Sequence, residues 1–379
     1  MGNYSCLRLV NPPFASNIID LIINLDILRK RQLAGTTHPK LFFQMKSIFH
    51  ILESIGSARI EGNHTTIAEY IESRIDGGNH VEENIQEIQN MDHALSFVES
   101  VIDSTEINRA FISELHKKVV GSLRNEGSTK PGSYRQVNLR IAGSHHIPPD
   151  YTIVNDLMDE LFSFINSPCE EKYDLLKTAI VHHRFAWIHP FDNGNGRTVR
   201  LLTYAMLVKQ GFNIHKGRII NPTAVFCIDR NAYYDALAEA DAGDDSGILK
   251  WCEYMLSGLA TEIEKIDKLL DYTFLANQIL IPAIRKSAER KLITETELKV
   301  LNIAVKKQVF QASDLGAIFP DKSPPEVSRQ IRKLRDKKMI EAESTGGRKY
   351  LIKFINNYLM RGVFQALDEK GFLPIRNEI

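Results

Sequence analysis

The sequence predicts a mainly α-helical protein with a separate module at its C-terminal end. Apolar residues recur at helical spacing along most of the first 270 residues, for example from Leu41 to Ile60. From about Thr294 the pattern changes to three short helical segments and a hairpin that turns at Gly346-Gly347, which is the order of a winged helix-turn-helix. We therefore expect an N-terminal helical region 1–104, a helical core 105–270, a helical linker 271–292 and a winged-helix-like domain 293–379.

One segment of the core breaks the helical pattern. The stretch "KPGSYRQVNLRIAGSHHIPPDY" (130–151) places prolines and glycines around short runs of alternating character. Prolines and glycines punctuate turns, and alternation is typical of strands. The segment therefore predicts a small β-hairpin near residues 134–149, beside the helical body.

Composition excludes several classes of protein. The chain has 379 residues, of which 43% are hydrophobic and 25% are charged, and its formal net charge is zero. A neutral chain is not a general polyanion binder, so any nucleic-acid contact must rest on a local patch. No apolar run approaches the ~20 residues of a membrane span, and the N-terminal segment lacks a signal-peptide core. We expect a cytoplasmic protein that does not contact a membrane.

The stretch "HPFDNGNGRTVR" (189–200) predicts an anion site. The segment from Thr198 to Val208 is strongly apolar and has no glycine or proline, so it reads as a buried helix that follows the loop "DNGNG". Arg197 and Arg200 then share one face of its first turn. A helix N-terminus already carries partial positive charge and unpaired N–H groups, and phosphate is the obvious ligand.

His189, which ends the preceding helix, is a candidate general base. Imidazole suits that work because its pKa lies near neutrality, and nucleotidyl transfer needs positioning and charge neutralisation more than covalent help. Two alternatives remain open. The loop could be an ordinary interhelical connection with a packed histidine. A metal site of His182, His183 and His189 is a weaker rival, because no glutamate completes a zinc-protease spacing.

Glu61 closes an apolar helix in the stretch "ESIGSARIEGN". A carboxylate is unfavourable near the negative end of a helix dipole, so its placement needs a reason. A solvated acidic residue before a glycine C-cap is the simple alternative.

The stretch "SPPEVSRQIRKLRDKKMI" of the C-terminal module predicts a helix with one apolar face, formed by Val327, Ile331 and Leu334. Its other faces carry four basic residues: Arg329, Arg332, Lys333 and Lys337. That arrangement suits a recognition helix that addresses DNA phosphates, and it equally suits a solvated basic helix or a protein contact.

Three stretches together resemble the Fic family. "HPFDNGNGRTVR" resembles its core motif, which reads His-Pro-Phe-x-acidic-Gly-Asn-Gly-Arg-x-x-Arg; "KPGSYRQVNLRIAGSHHIPP" resembles its target-positioning flap, and "SARIEGN" its inhibitory helix. The resemblance spans about Ser57 to Met206. It implies a Fic-type helical core and transfer of AMP from ATP to a Ser, Thr or Tyr hydroxyl of a target protein that the sequence does not name. It also suggests a homodimer that can modify itself.

The resemblance implies a role for each matching residue. His189 is the general base, and Asn195 with the Gly194 and Gly196 amides holds phosphate oxygens. Arg197 contacts the phosphates nearer the transferred group, and Arg200 contacts the terminal phosphate. The flap that clamps target backbone by strand addition comprises Arg140, Ile141, Ala142, Gly143, Ser144, His145 and His146.

One position departs from the family pattern. Asn193 stands where the family has the acidic ligand of Mg²⁺, and an amide oxygen brings no charge to a hard cation. Asn193 is thus a weak metal ligand, and the choice of nucleotide stays open.

The inhibitory pattern, by the same resemblance, comprises Ser57, Glu61 and Asn63, with Glu61 paired to Arg200 in place of the terminal phosphate. Three alternatives to inhibited AMP transfer remain: removal of AMP, transfer of another nucleotide, and a nucleotide-sensing winged-helix transcriptional regulator that can bind DNA.

Overall fold

The computed structural model describes residues 7–30, 36–76, 82–212 and 219–373. The chain divides into two compact units. The first unit comprises residues 1–32, 50–65 and 80–264, and the second comprises 33–49, 66–79 and 265–379. The four domains expected from the sequence, and the three boundaries between them, stay predictions.

The protein is mainly helical, as predicted. The α-helices in chain order are α1 Asn17–Lys30, α2 Pro39–Ile60, α3 Ile67–Asp76, α4 Glu83–Val101, α5 Arg109–Val120, α6 Val154–Asn166, α7 Asp174–Ile188, α8 Asn195–Lys209, α9 Pro222–Cys227, α10 Arg230–Ala240, α11 Asp245–Asp267, α12 Tyr272–Phe274, α13 Ile281–Glu289, α14 Glu295–Lys307, α15 Pro324–Asp336 and α16 Met360–Glu369. None of the helices among the described residues is long and apolar enough to span a bilayer.

Helices α7 and α8 form the centre of the first unit. They pack against each other, α4 and α5 pack against α8, and α6 packs against α7. Every residue from Arg197 to Val208 is buried, which confirms the buried helix predicted after the loop. A helix that is apolar on all sides requires partners on all sides, and α4, α5 and α7 supply them. The N-terminus of α8 is thereby held rigidly inside the unit.

The predicted β-hairpin near residues 134–149 is not a hairpin. These residues, all described, contain no strand. Side chains close the base of the segment in place of a backbone ladder. Arg135 donates to the Val137 carbonyl (3.1 Å) and the Pro149 carbonyl (2.6 Å), and Asn138 donates to Asp150 (2.8 Å). Prolines near both ends supply no N–H donor, and the alternating pattern does not by itself provide a pairing partner.

The second unit contains a small antiparallel sheet. Its strands are β1 Phe310–Gln311, β2 Ile340–Ala342 and β3 Lys349–Ile352, in the order β1-β3-β2. The turn at Gly346-Gly347 joins β2 to β3 as predicted, with Gly346 at φ +75°. The predicted middle helix is a short 3₁₀ turn, Ala312–Leu315. Val327, Ile331 and Leu334 are the buried face of α15, as predicted, and the winged-helix assignment itself stays a prediction.

Candidate active site

The loop between α7 and α8 begins and ends with left-handed backbone. His189 caps α7 at φ +51°, a conformation that is uncommon for a residue with a side chain and is concentrated at functional sites. Gly194 caps the start of α8 at φ +72°. A Cβ on Gly194 would also lie 2.7 Å from Val120 Cγ1. Glycine is therefore needed at position 194 both for its backbone and for the packing of α5.

The side chain of Asn195 shapes the loop. Its Oδ1 accepts from the Phe191 N–H (2.9 Å), and its Nδ2 donates to the Phe191 carbonyl (2.9 Å). The Phe191 ring in turn stacks on His116, with ring centroids 3.7 Å apart. The Asn195 side chain therefore holds the loop in shape, and its contact with phosphate oxygens stays a prediction. Backbone N–H groups of the first turn of α8 remain for an anion.

Asp192 and Asn193 are also used within the loop region. Asp192 accepts from the Ser128 hydroxyl (2.6 Å) and from the Thr129 N–H (3.0 Å). Asn193 Oδ1 accepts from the Gly194 N–H at 2.7 Å, so this amide too is occupied. The described residues contain no group of three His, Cys, Asp or Glu side chains that could hold a metal. The assignment of Asn193 as a weak metal ligand stays a prediction.

His189 lies with one ring nitrogen fixed. Its Nδ1 is 3.3 Å from the Ala186 carbonyl, an acceptor, so Nδ1 carries the proton and Nε2 keeps its lone pair. Burial lowers the pKa of His189 to about 4, against the hydrogen bond to Ala186 and the charge of Glu61. The imidazole is therefore neutral at physiological pH, which is the state that a general base needs.

Arg200 is bound by the end of α2. It is 2% exposed. Its Nε donates to the Ser57 hydroxyl (2.8 Å), and its Nη2 donates to the Ser57 carbonyl (3.0 Å) and to Glu61 Oε1 (2.6 Å). The charge-assisted bond to Glu61 is the shortest of the three, as expected for an ion pair. The predicted pairing of Glu61 with Arg200 is therefore present.

Glu61 lies directly against the first turn of α8. A Cβ added to Gly196 would be only 2.2 Å from Glu61 Oε1, so the absence of a side chain there permits the contact. Burial raises the pKa of Glu61, but the charges of Arg200 and Arg197 outweigh burial and the net shift is downward. An ionised carboxylate thus occupies the place where the sequence predicted an anion.

Comparison with known proteins agrees with this geometry. Residues 106–207 match the Fic/DOC family. This segment, which covers α5 to α7 and most of α8, is similar to a Fic domain. Relatives named "Protein adenylyltransferase Fic" from Drosophila grimshawi and Aedes aegypti are 32% identical over 202 residues and 31% identical over 205 residues. Each match covers 52% of this chain and 38% of the relative, so the chain spans well under half the length of these relatives.

Solved structures share the fold. A Fic family protein from Desulfovibrio desulfuricans matches over 90% of this chain and 98% of its own, with a TM-score of 0.55 and 19% identity. Fic-1 from C. elegans matches over 65% of this chain and 71% of its own, with a TM-score of 0.53 and 21% identity. The Fic-type helical fold predicted from the sequence is confirmed.

The two histidines before the Fic motif do not join His189 in a metal site. His182 lies 2.7 Å from the Thr203 hydroxyl and 3.0 Å from the Tyr233 hydroxyl, so both of its ring nitrogens have partners. His183 pairs with Asp241 at 3.1 Å. Both rings are buried supports of the Fic fold, and the metal alternative is wrong for the described residues.

The segment predicted to be a flap is anchored near the end of α7. Arg135 donates to the His189 carbonyl (2.9 Å), and His146 lies 2.8 Å from the Trp187 carbonyl. The predicted flap residues Arg140 to His145 are exposed or half-buried between these anchors. The segment is therefore held at Arg135 and His146 and is largely exposed between them.

Sequence reasoning missed the partners of Arg197. This side chain is fully buried, with Nη1 2.8 Å from Glu87 Oε1 and Nη2 3.0 Å from the Glu126 carbonyl. Glu87 is 2% exposed on α4. Its sequence signal is a glutamate between the apolar residues Ile85 and Ile88, where a helix face packs against a core. That pattern alone does not say which cation the carboxylate meets.

Proposed function

We propose that this protein transfers AMP from ATP to a Ser, Thr or Tyr hydroxyl of a protein. One arrangement carries the proposal. An ionised Glu61 is seated on Gly196 and Arg200 at the N-terminus of α8, and the loop that leads to that terminus begins at His189. The relatives named "Protein adenylyltransferase Fic" point to the same activity.

In the proposed reaction, Nε2 of His189 accepts the proton of the attacking hydroxyl. The hydroxyl oxygen forms a bond to the α-phosphorus, the bond to the bridging oxygen of the β-phosphate breaks, and pyrophosphate leaves. Arg197 neutralises charge on the phosphates near the transferred group, and Arg200 binds the terminal phosphate. The negative charge of the nucleotide also raises the pKa of the imidazole, which makes it a stronger base than in the free protein.

Glu61 restrains the reaction in this proposal, because it holds the guanidinium that the terminal phosphate needs. ATP that binds without Arg200 lacks alignment for in-line attack. Ser57 contributes by accepting hydrogen bonds from Nε and Nη2 of Arg200.

Magnesium enters the proposal as part of the Mg–ATP substrate. Mg²⁺ keeps several waters and binds through substrate phosphates with one or two protein ligands. Asn193 Oδ1 is the one ligand that this chain offers by resemblance, and it is neutral and already hydrogen-bonded to Gly194. The protein is thus expected to contribute little to metal affinity.

The test is to incubate the protein and its Glu61→Gly variant with each labelled nucleoside triphosphate and a cell lysate, and to locate adducts by mass spectrometry. We expect an AMP adduct on a protein hydroxyl, on a lysate protein or on the chain itself. Release of AMP from a pre-labelled protein, or an adduct of another nucleotide, would favour those two alternatives. No adduct in either protein would contradict the proposal.

A second function, DNA binding, is favoured by the outer face of α15. Arg329, Arg332 and Lys333 are exposed on it, whereas Lys337 pairs with Glu297 at 2.6 Å. Exposed cations on one helix suit contacts with phosphates. A gel shift on duplex DNA that weakens steeply with salt and is altered by ATP would support the transcriptional regulator. A homodimer, proposed by the family resemblance, is tested by the mass in solution.

A further inference from the structure

Arg197, the first of the two arginines of α8, has a support of its own. Arg197 is 0% exposed, and Glu87, its carboxylate partner, is 2% exposed. Glu83, one turn earlier on α4, accepts from the N–H groups of Arg124, Asn125 and Glu126 and so fixes the loop whose carbonyl binds Arg197. Residues four apart on a helix share a face, so one face of α4 holds Arg197 by two routes.

Asn63 ties this support to the inhibitory segment. Its Nδ2 donates to Glu87 Oε2 (2.7 Å) and to the Asn84 carbonyl (2.8 Å), and its Oδ1 accepts from the Thr65 N–H (2.9 Å). Asn63 is 7% exposed and stands two residues after Glu61. The segment 61–63 therefore reaches both arginines: Glu61 contacts Arg200 directly, and Asn63 contacts the partner of Arg197.

The Glu61–Arg200 and Glu87–Arg197 contacts differ in whether they block the approach of an anionic ligand. Glu61 occupies the edge of Gly196, where an anion would approach the helix N-terminus. Nη1 of Arg197, in contrast, is paired with Glu87 at 2.8 Å, and Nη2 donates to the Glu126 carbonyl. Among the described residues, Nε of Arg197 has no hydrogen-bond partner. Glu87 therefore orients the guanidinium and leaves Nε for a phosphate oxygen.

We propose that Asn63 and Glu87 position Arg197 for the phosphates of the nucleotide. The segment 61–63 then has two roles: Glu61 inhibits transfer by holding Arg200, and Asn63 helps to hold Arg197 in the geometry that nucleotide binding needs. The inference rests on the proposed nucleotide function. It has a consequence for activation. The Glu61 side chain must leave Arg200 while Asn63 stays in place, because displacement of the whole segment would also release Glu87.

The experiment uses the full chain with Glu61→Gly as the parent, so that the inhibitory contact of Glu61 with Arg200 does not mask a change in nucleotide affinity. Asn63→Ala and Glu87→Gln are added separately, and the dissociation constant of a non-hydrolysable ATP analogue is measured by calorimetry. Loss of a charge-assisted or supporting contact typically costs ~10–100-fold, so we expect weakening of about tenfold or more for Glu87→Gln and less for Asn63→Ala. The KM for ATP should rise accordingly, with a smaller change in kcat.

Asn90→Ala is the matched control. Asn90 is a buried asparagine of α4 whose Nδ2 donates to the Val119 and Gly121 carbonyls, without contact to Arg197. It should lower thermal stability similarly and leave nucleotide affinity unchanged. Glu87→Gln can fail to fold, since it leaves Arg197 without its partner; Asn63→Ala keeps the ion pair and then carries the test.

Three outcomes would contradict the inference. Affinity could be equal in the parent, Asn63→Ala and Glu87→Gln. Asn90→Ala could weaken binding as much as Asn63→Ala does, which would indicate a general loss of stability. Asn63→Ala in the otherwise unchanged protein could raise transfer as Glu61→Gly does, which would make Asn63 part of the inhibitory mechanism alone. If the Glu61→Gly parent binds no nucleotide, the proposed function fails and the inference falls with it.

Discussion

Arg200 and Arg197 stand three residues apart on the same helix turn, yet their carboxylate partners differ in one decisive respect. The side chain of Glu61, on Arg200, is 26% exposed, whereas that of Glu87, on Arg197, is 2% exposed. Glu61 follows the last residue of α2, while Glu87 lies within α4. A partly exposed carboxylate at a helix end can move into water, and a buried one inside a packed helix would leave an uncompensated charge behind.

The difference separates regulation from positioning. An inhibitory contact has to break before the reaction, so the inhibiting carboxylate needs access to solvent when it leaves the arginine. A positioning contact has to persist, so burial serves it. The pKa values of the two carboxyl groups shift in opposite directions. The charges of Arg200 and Arg197 lower the pKa of Glu61, whereas burial raises the pKa of Glu87 despite the charge of Arg197. Glu61 is thus the more stably ionised of the two carboxylates.

The largest effect should come from His189→Ala. This change removes the proposed general base and leaves Arg197 and Arg200, the proposed phosphate ligands, in place. Loss of a general base typically costs ~10²–10⁴-fold, so transfer should fall by that factor while calorimetry still detects ATP binding. Unchanged labelling by a folded His189→Ala protein would show that His189 is not the general base.

Glu61→Gly should raise transfer by about tenfold or more, because each ~1.4 kcal/mol of better alignment is worth tenfold in rate. Breaking a buried pair typically costs ~3–5 kcal/mol of stability, and ATP supplies a replacement anion. Thermal melting should therefore show lower stability without ATP and a larger upward shift with ATP than in the unchanged protein.

The double variant Glu61→Gly with Arg200→Ala sharpens this result. It should lose the gain in rate, since Arg200 is what Glu61 restrains. Labelling is compared at matched protein concentration in the unchanged, single and double variants. A single variant no faster than the unchanged protein would make Glu61 an ordinary helix-end carboxylate and would erase the contrast with Glu87.

Asn193→Asp should have a smaller effect, confined to metal dependence. A carboxylate in place of the neutral amide adds a charged ligand for the Mg²⁺ carried by ATP, so transfer should saturate at a lower Mg²⁺ concentration. The measurement is the labelling rate as a function of Mg²⁺ concentration in the unchanged protein and in Asn193→Asp. Identical titrations would place position 193 outside the metal's surroundings.

The sequence predicted the buried α8 and the position of His189 because each rests on local pattern. The Glu61–Arg200 pair, which joins distant residues, was implied by the resemblance to the Fic family. Sequence reasoning missed Glu87 and Glu126 because their roles depend on where α4 and the 124–126 loop meet α8, which periodicity does not encode. It also assigned a hairpin to residues 134–149, since alternation predicts strands but not what pairs with them.

The smallest effect concerns pH, and it tests whether Glu61 acts on His189 as well as on Arg200. Burial lowers the pKa of His189 from 6.5 to about 4, and the charge of Glu61 opposes that shift. A depressed histidine pKa contributes stability that is complete above the unfolded value and is lost as pH falls toward the folded value. The catalytic consequence has the same sign, because the base must be neutral.

We therefore expect kcat/KM to stay nearly constant from about pH 8 down to about pH 5 and to fall only below that, since this ratio reports the free enzyme. In Glu61→Gly the acid limb should move to lower pH, because a carboxylate that favoured the imidazolium is gone. Denaturant unfolding at each pH separates loss of base from loss of fold. An acid limb near the ordinary histidine value in both proteins would mean that His189 is more solvated than its burial implies. Glu61 would then act on the arginine alone.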